Sequence, residues 1–241
     1  MDTAPSLPTR PLAQRQSVSE AVTSSTTCAL VFAAGDMPPE PVTQRVVTSR
    51  LARNAYVVAA DGGLAHAAAL GIEPHLIVGD FDSVTPALLA EYPPSIIERH
   101  AVMKDELDLE LALAAALRAG AREASVVGAF GDRFDQSLAA ILIAARLTRS
   151  GLRCDLHGGG HSAWPLTAGM TLAPYLPVGT TVSVISLVED AVVRGAGLVY
   201  PLADLGVPFG TGLGVSNAVA RDDASVTCLA GLVAVVAEHL T

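Results

Sequence analysis

Six aspartates stand just behind short apolar segments, and that placement points to chemistry. Asp61 opens Asp61-Gly62-Gly63 after the apolar stretch 56–60. Asp80 and Asp82 belong to Gly79-Asp80-Phe81-Asp82-Ser83, after 76–78. Asp105 and Asp108 belong to Lys104-Asp105-Glu106-Leu107-Asp108-Leu109-Glu110, which follows 96–98. Asp135 closes Gly131-Asp132-Arg133-Phe134-Asp135, after 124–127, and Gln136 comes next. Continuous apolar strands separated by helices make a parallel sheet, and its loops emerge at one edge, where open α/β folds bind ligands. The six carboxylates therefore converge. Crowded carboxylates repel and do not all stay ionised without a cation. Oxygen-only donors select a hard ion, and Mg²⁺ is the usual one where phosphates share the site.

The neighbouring residues fit a phosphate ligand. Gly62, Gly63, Gly79, Gly128 and Gly131 free the backbone for tight turns and close approach. Helix starts behind these loops offer N–H groups to phosphate oxygens. Lys104 is the only lysine among 15 basic residues. A single compact ammonium beside the acidic cluster suits a phosphate contact, whereas Arg133 offers a planar fork. Taken singly, Asp108 and Asp135 read equally well as helix-start charges, and Asp61-Gly62-Gly63 as a turn. Four strand ends that all carry Asp are harder to reduce to local structure.

The elements that must hold these loops fall into two groups. Strands are expected at 29–34, 56–60, 76–78, 96–98, 124–127 and 154–157, with helices at 41–52, 63–70, 86–91, 108–119 and 135–149. Asp108 and Glu110 in the first turn of 108–119, Arg118 in its last and Gly120 behind it mark both ends of that helix. Beyond about residue 160 the helical period fades. Short β-rich segments follow at 170–173, 180–187, 191–193, 225–229 and 232–237. The expectation is an α/β fold: a three-layer parallel-sheet domain over 29–158, then an all-β sandwich over 159–241. Residues 1–28, polar and carrying Pro5, Pro8 and Pro11, read as a disordered leader.

Bulk composition closes off other classes. The 241 residues are 51% apolar with 16% charged, too hydrophobic for a disordered chain. A formal charge of −9 opposes binding to a nucleic-acid backbone. No apolar run reaches membrane-spanning length, and the three cysteines form no paired framework, which suits a reducing cytoplasm. Gly158-Gly159-Gly160 between His157 and His161 argues for a loop rather than a metal-binding helix. Trp164, the sole tryptophan, reads as a packing anchor before it reads as a ring that stacks on a ligand. Gly210-Thr211-Gly212-Leu213-Gly214 does not stand between a strand and a helix and is no dinucleotide fingerprint.

The motifs, in this order and spacing, resemble the thiamin pyrophosphokinase (thiamin diphosphokinase) family. The resemblance runs through the four acidic segments, then Gly197-Leu198-Val199-Tyr200-Pro201-Leu202 and Gly214-Val215-Ser216-Asn217. It implies a homodimer that transfers the diphosphoryl group of ATP to the thiamin hydroxyl, releasing AMP. On that basis Asp80, Asp82, Asp105 and Asp108 hold Mg²⁺, and Lys104 and Arg133 bind ATP phosphates. Asp61, Gly62, Gly63 and Ser83 line the same pocket, Asp135 and Gln136 hold substrate, and Ser216 and Asn217 face thiamin at the dimer interface. Two positions depart from the family pattern. Leu107 stands where Thr or Ser is usual, and Asp132 where a second Gly is common. The competing readings are transfer to another alcohol, such as a hydroxymethyl pterin, and a thiamin or nucleotide sensor without catalysis.

Overall fold

The computed structural model describes residues 27–101 and 106–239; Lys104, Asp105 and residues 1–26 of the expected leader lie outside the described residues. In the first half, strands and helices alternate: β1 (Cys28–Phe32), α1 (Glu40–Leu51), β2 (Tyr56–Ala60), α2 (Gly63–Ala69), β3 (Leu76–Gly79), α3 (Pro86–Leu89), β4 (Ile97–Arg99), α4 (Asp108–Arg118), β5 (Glu123–Val127), α5 (Phe134–Arg149) and β6 (Arg153–Gly158). Each strand and helix expected in this half is present, with ends within two residues of the sequence reading. The terminal charges behave as expected: α4 carries Asp108 and Glu110 in its first turn and Arg118 in its last.

The six strands are parallel and ordered β6-β5-β1-β2-β3-β4. The chain leaves β1 in one direction through β2, β3 and β4, then returns to β1's other side with β5. The switch point between β1 and β5 opens a crevice at the carboxyl edge, the position where such sheets take ligands. Both faces are covered. Val42, Val46 and Val47 of α1 pack on Leu30 and Phe32, while Ala112, Leu113 and Ala116 of α4 and Ala144 and Leu147 of α5 pack on Ala29, Val31 and Leu156. Small side chains allow that close approach of helix to sheet, which accounts for a core with few aromatics.

The second half is β-rich: β7 (His161–Thr167), β8 (Thr171–Leu172), β9 (Thr181–Ser186), β10 (Asp190–Ala196), β11 (Leu202–Pro208), β12 (Asn217–Ala218), β13 (Ser225–Ala230) and β14 (Leu232–Glu238). Strands β7, β11 and β12 have no counterpart in the sequence reading. A sandwich forms, and one of its two sheets is the parallel sheet itself, continued antiparallel through β7, β14, β9 and β12. The glycine run 158–160 is a hairpin inside that sheet, with His157 opposite Ser162 and Gly158 opposite His161. The other sheet, β11-β10-β13-β8, closes over Trp164, Leu166, Val184, Val233 and Val235. Cys28, Cys154 and Cys228 are free and buried, and burial pushes the Cys154 thiol up to about 12.

Candidate active site

The crevice at the switch point is a cleft of about 590 Å³. Its walls come from the segment after β1 (33–36), the end of β2 with Asp61, the loop after β3, the start of α4 and the stretch from Gly128 to Ser137. Within it, ligand atoms of Asp61, Asp80 and Asp108 lie within 4.8 Å of one another. Asp61 is buried at φ 43°, and its Oδ1 has no hydrogen-bond partner among the described residues. Burial, first of all, raises the Asp61 pKa; the Gly62 amide and Ser83 hydroxyl pull it down, and the charges of Asp108 and Asp80 push it up again. An orphaned, desolvated carboxylate oxygen beside two more carboxylates is a donor set that a hard divalent cation satisfies.

A folded-state pKa above the unfolded one means that the fold disfavours ionised Asp61. The penalty is present at neutral pH and disappears as pH falls through the raised value. Asn tolerates a positive φ. Asp61→Asn is therefore expected to raise the melting temperature of metal-free protein at pH 7–8, with the gain vanishing in acid. Paired melts across pH check this.

The loop after β3 shows how two of the acids are aimed. Phe81 sits at φ 66°, a costly conformation for a bulky residue, and is 8% exposed in a core cluster with Leu64, Ile77 and Tyr92. With Phe81 anchored inward, Asp80 and Asp82 flank it on the solvent side. Arg99 braces the loop: its guanidinium lies 4.7 Å from the Phe81 ring centre and donates to the Asp80 carbonyl at 2.9 Å. The Asp82 amide donates to Asp80 Oδ1 at 3.2 Å. Asp82 and Ser83 line the cleft, and the Ser83 hydroxyl donates to Asp82 Oδ1 at 2.8 Å; Asp82 is not one of the three acids whose ligand atoms lie within 4.8 Å of one another.

Two helix starts face the same space. Leu107 supplies no side-chain cap to α4, whereas the amides of Asp135 and Gln136 at the start of α5 already donate to the Asp135 carboxylate, so the α4 start is the better placed to receive an anion. Leu107, Asp132, Arg133 and Gln136 all line the cleft. The Arg133 guanidinium is turned onto Asp135, with contacts of 2.9 and 2.7 Å that hold the Asp135 carboxyl near 2. Asp135 itself is not in the cleft wall. Gly62 and Gly63 are not in it either. Gly62 lies against Ala34, and a Cβ on Gly63 would collide with the Phe32 carbonyl, so this glycine lets α2 pack on β1. Gly63→Ala is expected to cost about 3 kcal/mol or more, which would lower the melting temperature by several degrees. Chemical denaturation of the variant measures it.

Ser216 and Asn217 lie elsewhere. Asn217 begins β12, which is six strands from β1 in the sheet order, about 29 Å at ordinary strand spacing. Ser216 is exposed at φ 60°. The Asn217 amide is spent on the backbone: Nδ2 donates to the Tyr200 carbonyl at 2.7 Å, and Oδ1 accepts from the Tyr200 and Ala218 amides at 3.0 and 2.8 Å. It therefore shapes the Tyr200 loop. Sequence reading missed Asp36, whose carboxylate lies near Gly131 and Gly159 in the cleft wall, and the brace from Arg99.

Two family models match: the thiamin pyrophosphokinase catalytic domain over residues 47–156 and the thiamin pyrophosphokinase vitamin B1 binding domain over 170–233. Together they span well over half of the chain. The chain belongs to the thiamin pyrophosphokinase family. Solved structures of the family share the fold. Thiamine pyrophosphokinase from Bacillus subtilis superposes with a TM-score of 0.75 at 22% identity, covering 89% of this chain and 100% of that one. A thiamin pyrophosphokinase family protein from Enterococcus faecalis gives 0.69 at 25% identity over 89% and 100%. Thiamin pyrophosphokinase from Candida albicans gives 0.70 at 15% identity over 89% and 90%. Among curated proteins, none matches the sequence. The catalytic match ends at 156, within β6, and the vitamin B1 binding match starts at 170, after β7.

Proposed function

We infer that the chain is an ATP-dependent thiamin diphosphokinase. The thiamin hydroxyl oxygen attacks the β-phosphorus of ATP and releases its proton, the bond from that phosphorus to the α-phosphate bridging oxygen breaks, and AMP leaves. The observation that carries this reading is the Asp61, Asp80 and Asp108 group at the switch point, beside the uncapped start of α4. Catalysis of this kind rests on positioning and charge neutralisation.

Asp61, Asp80 and Asp108 would hold Mg²⁺, with Asp82 and Asp105 as further carboxylates of the set. Bound there, the cation would supply the charge that lets a polyphosphate enter an acidic cleft. The amides at the start of α4 receive phosphate oxygens. Arg133 and Lys104 meet the remaining phosphate charge, Arg133 by swinging from Asp135, which is exposed and close enough to exchange it. Gln136 and Ser83 position the substrates from the cleft wall. Residues 29–158 act as the nucleotide and metal unit, and 159–241 as the thiamin unit.

We also propose a homodimer with thiamin at the interface. Ser216 cannot reach the acidic cleft of its own chain across six strands, so a second copy must bring it there. The exposed apolar side chains fit this. Phe134, Leu138 and Leu142, 77%, 47% and 49% exposed, form a stripe along α5. Ile185 of β9 pairs with Ala234, next to Val236, which packs beneath α5; Ile185 and the stripe therefore share a sheet face. Val199, Tyr200, Leu213 and Val215 are exposed around β12. Packing the α5 stripe of one copy on the β9–β12 face of the other covers both surfaces twice, as a two-fold interface requires. Three free thiols suit a cytoplasmic enzyme. Among the described residues no helix is long and apolar enough to cross a membrane.

The test is AMP formation from MgATP with thiamin, and separately with a hydroxymethyl pterin. AMP with thiamin supports the reading. AMP with the pterin alone overturns the acceptor, and ligand binding without AMP identifies a sensor.

A further inference from the structure

A second hollow lies on the opposite sheet face from α4 and α5, between α1 and the segment entering β9. Its volume is about 210 Å³. Strand alternation explains its polarity: Cys154 and Leu156 of β6 face α5, so Asp155 and His157 face the hollow. The acids there are already compensated. Arg50 donates at 2.7 Å each to Ser125, Glu123 and Asp155, and Arg53 adds a second contact to Glu123. Arg45 is different. Its guanidinium rests 5.4 Å from the Tyr175 ring centre and, among the described residues, forms no ion pair with a carboxylate.

The inner wall adds two hydrogen-bonding groups. His157 is 4% exposed; its Nδ1 meets the Ser162 hydroxyl at 2.7 Å, and that hydroxyl also meets His239 Nε2 at 2.9 Å. No hydrogen bond joins His157 Nε2 to any described residue. The same holds for the indole N–H of Trp164, whose ring meets His157 edge-on at 5.9 Å. Burial holds His157 neutral, with its pKa near 3. His157 thus offers a hydrogen bond, and the charge without a carboxylate partner among the described residues is that of Arg45.

We propose that this hollow binds a small planar carboxylate, a single aromatic ring bearing one carboxyl group, held by Arg45, His157 Nε2 and the Trp164 N–H. The guanidinium edge left open by Tyr175 suits a carboxylate fork. When the Ser162 hydroxyl donates to His157 Nδ1, Nε2 carries the proton and donates to the ligand. Size sets the class: a cavity of about 150 Å³ admits benzene, whereas drug-sized ligands need about 300 Å³ or more. No residue that lines this hollow lines the acidic cleft, so the proposal is independent of the reaction assigned above.

Trp164 is the only tryptophan, so its fluorescence reports on this wall alone. Benzoate titrated into the full chain is expected to change Trp164 emission saturably, and neutral benzamide to do so much more weakly. Arg45→Gln, at an exposed position, should weaken benzoate about tenfold or more. An unchanged melting temperature would show that the variant is folded. No saturable response up to tens of millimolar benzoate would overturn the proposal. So would equal binding by the Arg45 variant, equal binding of benzamide, or preference for inorganic phosphate over benzoate.

Discussion

Asp80→Asn is expected to reduce the rate of AMP formation about a hundredfold or more while leaving the fold intact. The loss follows from charge. The substitution removes one of three carboxylates whose oxygens lie within 4.8 Å, and it points an NH₂ group at the position of the proposed cation. The Mg²⁺ concentration that gives half-maximal rate should rise with the same change. The fold survives because the structural bonds of Asp80 do not need its charge. Its Oδ1 accepts from the Asp82 amide, which an Asn oxygen also does, and Arg99 binds the main-chain carbonyl. Removing a like charge beside buried Asp61 should leave the metal-free melting temperature equal or higher. Near-normal turnover at ordinary Mg²⁺ would take Asp80 out of the metal site. A collapsed melting temperature would show that the loop needs the carboxylate for stability.

The acids of this cleft were legible because the physics that places them is local. An apolar run ending in Asp-Gly or Gly-Asp marks a strand and the loop that leaves it, and parallel strands send such loops to one edge. Asp36 could have been found the same way, since Gly35-Asp36 follows β1 as Gly79-Asp80 follows an apolar run. Arg99 could not, because it acts through a carbonyl and a ring that only the folded loop brings beside it. Strand β7 was hidden by Pro165, which argues against an interior strand. In the fold, Pro165 lies past the last β6 pair and faces only β14. Strand β12 is two residues long and has no periodicity to read. Joining both halves into one sheet depends on a glycine hairpin whose composition looks the same as a linker's. Asn217 teaches the converse lesson. A polar residue in a binding motif looked free for substrate, and its amide oxygen and one of its two N–H groups are taken by the backbone of Tyr200 and Ala218.

Mixing two inactive variants should restore activity if each site is built from two chains. Asp80→Asn disables the acidic cleft. Ser216→Arg leaves the cleft intact and puts a cation where the thiazolium of thiamin would approach; Ser216 is exposed, so the larger side chain has room. Each variant alone is expected to lose most activity. Co-expressed, half of the dimers are mixed by statistics, and each mixed dimer holds one site with both parts intact and one with neither. Recovery of about a quarter of the wild-type rate is therefore expected. A site made within one chain gives no recovery, because every cleft in the mixture still carries one of the two lesions. The six-strand separation of β12 from β1 makes that second outcome hard to reconcile with any role for Ser216. A fully active Ser216→Arg variant would remove Ser216 from the thiamin site. The α5 stripe supplies an independent arm. Leu138→Asp puts a charge in the centre of the proposed interface, and sedimentation should then find monomers with the acidic cleft intact and the activity gone.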